Sequence, residues 1–191
     1  MDDLPRLAFE SAEALRTWLE ANQNDSPGIW LQIAKVGSGA RTVSYDEAID
    51  VALCYGWIDG QKAPLDERAW LQRLTPRRSR SRWSEINRSR AERLIESGAM
   101  RPRGLAEVEA ARSDGRWAAA YASPRSAAVP EDLQAALDGE PAALEFFAKL
   151  SGSNRYAILY RIHDAKRPQT RAQRIATFVA MLARGETLHP Q

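Results

Sequence analysis

The chain has few of the side chains that bind metals or form disulfide bonds. Cys54 is the single cysteine among 191 residues, and His163 and His189 are the two histidines. One thiol excludes an internal disulfide bond and is typical of a protein from a reducing compartment. With so few sulfur and imidazole ligands, we expect no structural zinc site, no other metal and no cofactor.

Long apolar runs are also missing. No stretch approaches the roughly 20 apolar residues that a membrane-spanning helix needs. The first ten residues, MDDLPRLAFE, are acidic and lack the apolar core of a secretory signal. These absences predict a cytoplasmic protein that does not insert into a membrane. The hydrophobic content of 44% still allows a buried core, in one domain or two small ones.

Catalytic motifs are a third absence. The sequence contains no recognisable nucleophile–base pair and no phosphate-binding loop. A hydrolase or transferase that uses Asp59 or His163 therefore ranks last among the hypotheses, and a binding role is favoured over an enzymatic one. A structural interpretation of Asp59 is an ion pair with Arg73 or Arg78.

Charge is distributed unevenly along the chain, although its sum is +2. Residues 1–66 carry 5 basic and 11 acidic side chains, whereas residues 67–103 carry 11 basic and 4 acidic ones. Residues 104–160 have 5 basic and 8 acidic side chains, and residues 161–191 have 6 and 2. Two basic segments thus lie in an otherwise acidic chain, and this asymmetry bears on binding partners rather than on fold.

The hydrophobic pattern predicts an α+β protein. We expect a small antiparallel sheet of three to four strands covered by helices, followed by a C-terminal helical module. The strand candidates are IWLQIAKV, WIDGQKA and AWLQRLT, with a further one at Arg41–Val43. The loop SPRSAAVP is predicted to divide an α+β domain, residues 1–122, from a helical module, residues 129–187. Helices are predicted over Ser11–Asn22, from Ser44 to Gly56, over Glu85–Ser97 and Leu105–Ser113, from Pro130, Pro141 and Ser153, and over Pro168–Arg184.

Two of the helix starts carry charge of the wrong sign. A helix N-terminus behaves as about half a positive charge, so an acidic residue there contributes ~0.3–1 kcal/mol. The helix after Ser84 is instead preceded by four arginines, and the helix at Pro168 is entered through Lys166 and Arg167. Backbone N–H groups at a helix start bind anions. Both starts are therefore predicted to contact an anion.

Four segments resemble one bacterial family. ALCYGWIDGQ, TPRRSRSRWSEINRSRAERLIESGAM, GRWAAAY and AKRPQTRAQRI are similar, in this order, to motifs of the YdeI/OmpD-associated family, also called bacteriocin-protection proteins. The resemblance extends from about Phe9 to Gly185. It implies a role in bacterial envelope stress and in tolerance of antimicrobial peptides, and it implies no particular reaction or cofactor. The part from about Val129 to Gly185 resembles a helical module found behind unrelated β domains, and the front half more weakly resembles the frataxin-like YjbR group.

The favoured hypothesis is a non-catalytic binding protein with an arginine-lined anion-binding cleft between its two halves. Its partner would be a small phosphate- or carboxylate-bearing ligand or an acidic protein segment, because the planar arginine fork binds such oxyanions with two hydrogen bonds. The candidate site residues are Arg77, Arg78, Ser81, Trp83, Ser84, Asn87, Lys166, Arg167, Thr170, Arg171 and Arg174, supported by Trp57, Asp59 and Gly60.

Two alternatives remain open at this point. One is a nucleic-acid-binding protein that uses residues 67–103, with Trp83 stacking on bases and an affinity that falls steeply with salt. The other is a structural network of ion pairs without any ligand site. The sequence does not predict the oligomeric state.

Overall fold

The fold is that of a computed structural model of the chain, in which residues 3–124 and 126–190 are described. The chain divides into two compact units, Met1–Ala120 and Tyr121–Gln191, called here the N-terminal and the C-terminal unit. Arg125, in the loop predicted to divide the domains, lies outside the described residues.

The N-terminal unit combines a sheet with helices, which confirms the predicted α+β class. Its elements in chain order are β1 (Arg6–Ala8), α1 (Ala12–Asn22), β2 (Ile29–Ala34), α2 (Tyr45–Cys54), β3 (Trp57–Pro64), β4 (Ala69–Pro76), α3 (Glu85–Glu96) and α4 (Pro102–Ser113).

The sheet has four strands within the described residues, in the order β1-β2-β4-β3, and it is mixed. β4 pairs antiparallel with β2 and β3, whereas β1 runs parallel to β2. This parallel pair corrects the expectation of antiparallel pairing throughout. It arises because α1 connects β1 to β2 as a crossover and returns the chain in the same direction.

The fourth strand is Arg6–Ala8 rather than the predicted segment at Arg41–Val43. That segment is instead held by isolated hydrogen bonds, in which the Val43 N–H donates to the carbonyl of Phe9 over 2.8 Å. A three-residue edge strand has too short a pattern to be recognised from its sequence.

Local helix signals are confirmed in the N-terminal unit. Ser11, Ser44 and Ser84 cap α1, α2 and α3 through their hydroxyl groups, and Ser44 forms the predicted capping box with Glu47. Gly56 ends α2 at a φ of +71°, a conformation that costs little only for glycine. These helix ends position the residues that follow them, including Trp57 and Asn87.

The C-terminal unit is helical. It contains α5 (Glu131–Asp138), α6 (Pro141–Ala148), α7 (Gly152–His163) and α8 (Pro168–Ala183). Its core is formed by buried side chains of all four helices: Leu133, Leu137, Ala143, Phe147, Ile158, Leu159, Ile162, Ile175, Phe178 and Leu182. The buried amide of Asn154 exchanges two hydrogen bonds with the backbone of His189, of 3.0 and 2.9 Å, which fixes the C-terminal tail against the start of α7.

Candidate functional site

Two of the predicted ligand contacts, Arg77 and Trp83, lie in the interior of the N-terminal unit. Arg77 is 6% exposed and Trp83 is 1% exposed. The Arg77 guanidinium group stacks 3.6 Å from the centre of the Trp83 ring, and it donates a hydrogen bond of 3.2 Å to the carbonyl of Arg82. Trp117 packs edge-on against the same ring at 4.8 Å. The arginine and the two tryptophans thus form a cation–π stack that stabilises the fold.

Arg78 and Arg80 lie on an exposed turn that precedes α3. The Ser81 hydroxyl accepts a hydrogen bond of 2.9 Å from the Arg78 N–H, and the Ser81 N–H donates to the Arg78 carbonyl over 2.8 Å. Arg116 donates to the carbonyl of Ser81, also over 2.8 Å. The turn is therefore held by its own hydrogen bonds and by Arg116, and it presents the side chains of Arg78 and Arg80 to solvent.

Ser84 and Asn87 connect the start of α3 to β3. The Ser84 hydroxyl accepts from the Asn87 N–H over 3.1 Å, and the Asn87 amide donates to the Asp59 carboxylate over 3.4 Å. Tyr45 donates to the other oxygen of the same carboxylate over 2.9 Å. Burial and the Asp59 charge raise the pKa of Tyr45 well above its ordinary value.

Asp59 thus accepts hydrogen bonds from two neutral donors, Tyr45 and Asn87. The ion pair with Arg73 or Arg78 stays a prediction. Of its predicted companions, Trp57 is fully buried in the core and Gly60 is exposed at an irregularity in the β3–β4 pairing. The carbonyl of Gly60 accepts a hydrogen bond of 2.9 Å from the buried amide of Gln72. These three supporting residues therefore belong to the sheet and its core.

In the C-terminal unit, Arg171 connects three helices. Its guanidinium group forms a two-pronged ion pair with Asp132 of α5, with N–O distances of 2.5 and 2.8 Å. It also donates to the carbonyl of Ile162, in the last turn of α7, over 3.0 Å. Hydrogen bonds from Arg171 hold the pKa of Asp132 below its ordinary value.

Arg174 has a similar structural position, one turn further along α8. It donates to the carbonyl of Arg161 and lies 3.6 Å from the carboxylate of Asp164. The last carbonyls of a helix lack partners within the helix, and a cation is favourable beside them. Arg171 and Arg174 therefore stabilise the end of α7, which explains part of the basic charge at the start of α8.

Lys166, Arg167 and Thr170 remain exposed at the start of α8. Arg167 is the N-cap, Pro168 is the first helical residue, and no described side chain accepts a hydrogen bond from the first turn. That turn has no acidic residue either, in contrast to α5, which begins with Glu131 and Asp132. Among the helix starts of the C-terminal unit, this one offers uncapped N–H groups beside exposed cations.

The predicted site residues therefore form two groups. Arg77–Asn87 extend from the end of β4 into the first turn of α3 in the N-terminal unit, and Lys166–Arg174 extend from just before α8 into its first two turns in the C-terminal unit. Sequence analysis missed Asp132 as the partner of Arg171. Its acidic charge in the first turn of α5 was a visible signal, but 39 residues separate the two and no periodic pattern connects them.

Comparison with known proteins gives two family matches. Residues 7–107, slightly more than half of the chain, match a domain of unknown function (DUF8412). Residues 126–185 match the family described as bacteriocin-protection, YdeI or OmpD-associated. The predicted resemblance to the latter family is thus confirmed over the C-terminal part of the chain. No curated protein and no solved structure matches the chain.

No helix within residues 3–124 and 126–190 has the length and apolar character needed to span a bilayer. The same residues contain no group of three or more His, Cys, Asp or Glu side chains placed to bind a metal ion.

Proposed function

The chain belongs to the DUF8412 family and has a bacteriocin-protection, YdeI/OmpD-associated region at residues 126–185, and from this premise we propose that it binds a ligand without catalysing a reaction. In this proposal, the binding contributes to tolerance of bacteriocins and antimicrobial peptides. Its C-terminal unit binds an oxyanion, on a small molecule or on an acidic protein segment, at the start of α8. We place the protein in the cytoplasm, in keeping with its lone buried thiol, Cys54.

The observation that supports this proposal is the uncapped start of α8 between Lys166 and Thr170. The N–H groups of Gln169 and Thr170 lie in the first turn of a 16-residue helix, where the helix dipole favours a negative charge. Lys166 and Arg167 add two exposed cations at the same point. An oxyanion there would accept backbone hydrogen bonds and pair with both side chains.

The ion pairs decide which cations belong to the site. Asp132 balances the charge of Arg171, and Asp164 lies near Arg174. Lys166 and Arg167 have no such acidic neighbour among the ion pairs of the described residues. The unbalanced positive charge therefore lies on these two side chains, and Arg171 contributes by fixing the helix that presents them.

The sign of the charge also bears on the kind of partner. Antimicrobial peptides that act on membranes are commonly rich in lysine and arginine. Lys166 and Arg167 would repel such a peptide. The proposed site therefore supports tolerance through an anionic ligand or an acidic partner, and not by sequestering a cationic peptide.

A nucleic-acid-binding role for residues 67–103 has less support. That hypothesis needs Trp83 to stack on bases, but Trp83 is 1% exposed and its ring is covered by Arg77. The exposed Arg78 and Arg80 form a small basic surface, while Glu92 and Glu96 of α3 are exposed nearby in the chain.

The proposal is tested by the phosphate-dependent melting temperature of the full-length protein, with chloride used to keep the ionic strength constant. Phosphate should stabilise the wild-type protein, because a ligand that binds the folded state raises its stability by mass action. The double variant Lys166→Gln/Arg167→Gln should lose part of that increase.

A matched control removes the same charge elsewhere in the C-terminal unit. Lys149 and Arg184 form exposed ion pairs with Glu145 and Glu186, so Lys149→Gln/Arg184→Gln should keep the full response to phosphate. Equal responses in the two double variants would refute the proposed site.

A further inference from the structure

We propose that the N-terminal unit contains a second oxyanion site, separate from the start of α8. It is a cavity of about 230 Å³ where the end of α2 meets the start of α4. Tyr55, Arg101 and Arg103 supply its hydrogen-bond donors, and Glu20 lies in its wall. Its ligand is a small phosphate- or carboxylate-bearing molecule.

The buried hydroxyl of Tyr55 is the main observation. Tyr55 is the C-cap of α2, is 0% exposed and lines the cavity, and its buried hydroxyl has no hydrogen-bond acceptor among the described residues. The Arg101 side chain lies beside it, and hydrogen bonding to the Tyr55 side chain raises the pKa of Arg101. That contact makes the hydroxyl an acceptor and leaves its own proton without an acceptor among the described residues. A buried donor without an acceptor is costly, so such a group generally has a ligand or a water molecule as its partner.

Arg101 places a second donor without an acceptor at the same point. Its backbone N–H donates to the carbonyl of Cys54 over 3.1 Å, which fixes the start of α4 against the end of α2. Its Nε atom is buried and has no hydrogen-bond partner among the described residues. The Tyr55 hydroxyl and the Arg101 guanidinium group are both donors, and an oxyanion between them would satisfy both.

Arg103 also lines the cavity, and its position is fixed by contacts that do not involve a ligand. Its guanidinium group donates to the carbonyl of Gln23 and, over 2.9 Å, to the side-chain oxygen of Asn24. These contacts use part of its five N–H donors and leave the charge beside the cavity. Arg103 is therefore held in place before any ligand arrives, which lowers the entropy cost of binding.

The packing of α4 on α2 also fixes the shape of the cavity. A Cβ atom added at Gly104 would lie 2.3 Å from the carbonyl oxygen of Cys54. A Cβ atom at Gly56 would lie 3.1 Å from the carbonyl oxygen of Arg103. Because backbone meets backbone at both points, the donors cannot move apart without disturbing the unit.

The charges around the cavity indicate the kind of ligand. Arg101 and Arg103 carry two positive charges, and Glu20 carries one negative charge. The excess of one positive charge favours an anion, and the Glu20 carboxylate can accept a hydrogen bond from a hydroxyl group on it. A monohydrogen phosphate group has both the acceptor oxygens and the hydroxyl that this set of residues requires. The cavity is large enough for a phosphate group, since a water molecule in the liquid occupies only about 30 Å³.

The test is a titration of the labelled full-length protein with inorganic phosphate, followed by NMR at the side-chain Nε–H resonances of Arg101 and Arg103. Both resonances should move with phosphate and not with chloride at equal ionic strength. Tyr55→Phe should weaken this binding about 10-fold, because it removes one hydrogen bond to a charged group. The control is Arg112→Gln, which removes one positive charge from an exposed position in α4. This variant should bind phosphate with unchanged affinity.

A second readout is the melting temperature of Tyr55→Phe in chloride alone. If the hydroxyl proton lacks an acceptor in the empty protein, this variant should melt at the same temperature as the wild type or at a higher one. A lower melting temperature, or an unchanged phosphate affinity, would overturn the proposal. The Lys166→Gln/Arg167→Gln variant should keep the Arg101 and Arg103 shifts, so failure of either site is distinguished from failure of the other.

Discussion

The Arg171→Gln substitution separates a structural role of this arginine from a role in binding. It removes the ion pair with Asp132, whose side chain is 46% exposed while that of Arg171 is 27% exposed. An ion pair at this level of exposure contributes ~0.2–1 kcal/mol. The carbonyl of Ile162 also loses its donor, which costs ~0.5–1.5 kcal/mol. We therefore expect the free energy of unfolding to fall by about 1–2 kcal/mol without any ligand.

Urea unfolding followed by circular dichroism at 222 nm measures this change, because the C-terminal unit is helical. All six tryptophans lie at or before residue 117, so tryptophan fluorescence follows the N-terminal unit in the same samples. Arg167→Gln is the matched control, since it removes the same charge from an exposed side chain at the start of the same helix. If Arg171→Gln and Arg167→Gln unfold with the same free energy, the structural role assigned to Arg171 is refuted.

Two further predictions concern pH and packing. Arg171 lowers the pKa of Asp132 in the folded state, so the ion pair of these two residues stabilises the folded protein. This stabilisation is complete above the unfolded-state pKa of about 3.9 and is lost as the pH falls through the lower pKa of the folded state. Wild type and Asp132→Asn should therefore differ in stability at pH 7 and converge in acid, as measured by thermal melts; a constant difference would contradict this. Gly104→Ala would place a methyl group against the Cys54 carbonyl. The free energy of unfolding, measured by calorimetry, should therefore fall by about 1–3 kcal/mol or more. An unchanged melting temperature would contradict the close packing of α4 on α2.

Much of the local structure could be predicted because its causes lie within a few residues. The Ser84 cap and the inward direction of Asn87 follow from helix geometry and from the three-residue spacing between them. The same rules locate Ser44, Glu47 and Gly56 at the ends of α2. Each of these features needs only one helix and its flanking residues to be recognised.

The partners of the site residues could not be predicted, because they are distant in sequence. Arg77 and Trp83 occur in a run of charge that is typical of an exposed loop, and the Trp117 ring that helps to bury Trp83 comes 34 residues later. Arg167 and Arg171 both belong to the basic sequence at the start of α8, and the sequence does not distinguish them. The ion pair with Asp132 gives Arg171 a structural role, whereas Arg167 stays exposed. The convergence of the two basic segments and the domain limits at 122 and 129 stay predictions.

The central claim is that an oxyanion binds at the uncapped start of α8. It is tested most directly by the backbone amide resonances of Gln169 and Thr170 in the full-length protein during a phosphate titration at constant ionic strength. We expect these two amides to shift in a saturable way and to stop responding in Lys166→Gln/Arg167→Gln. Amides at the start of α8 that do not move while phosphate is added, or that move equally in the double variant, would contradict the claim.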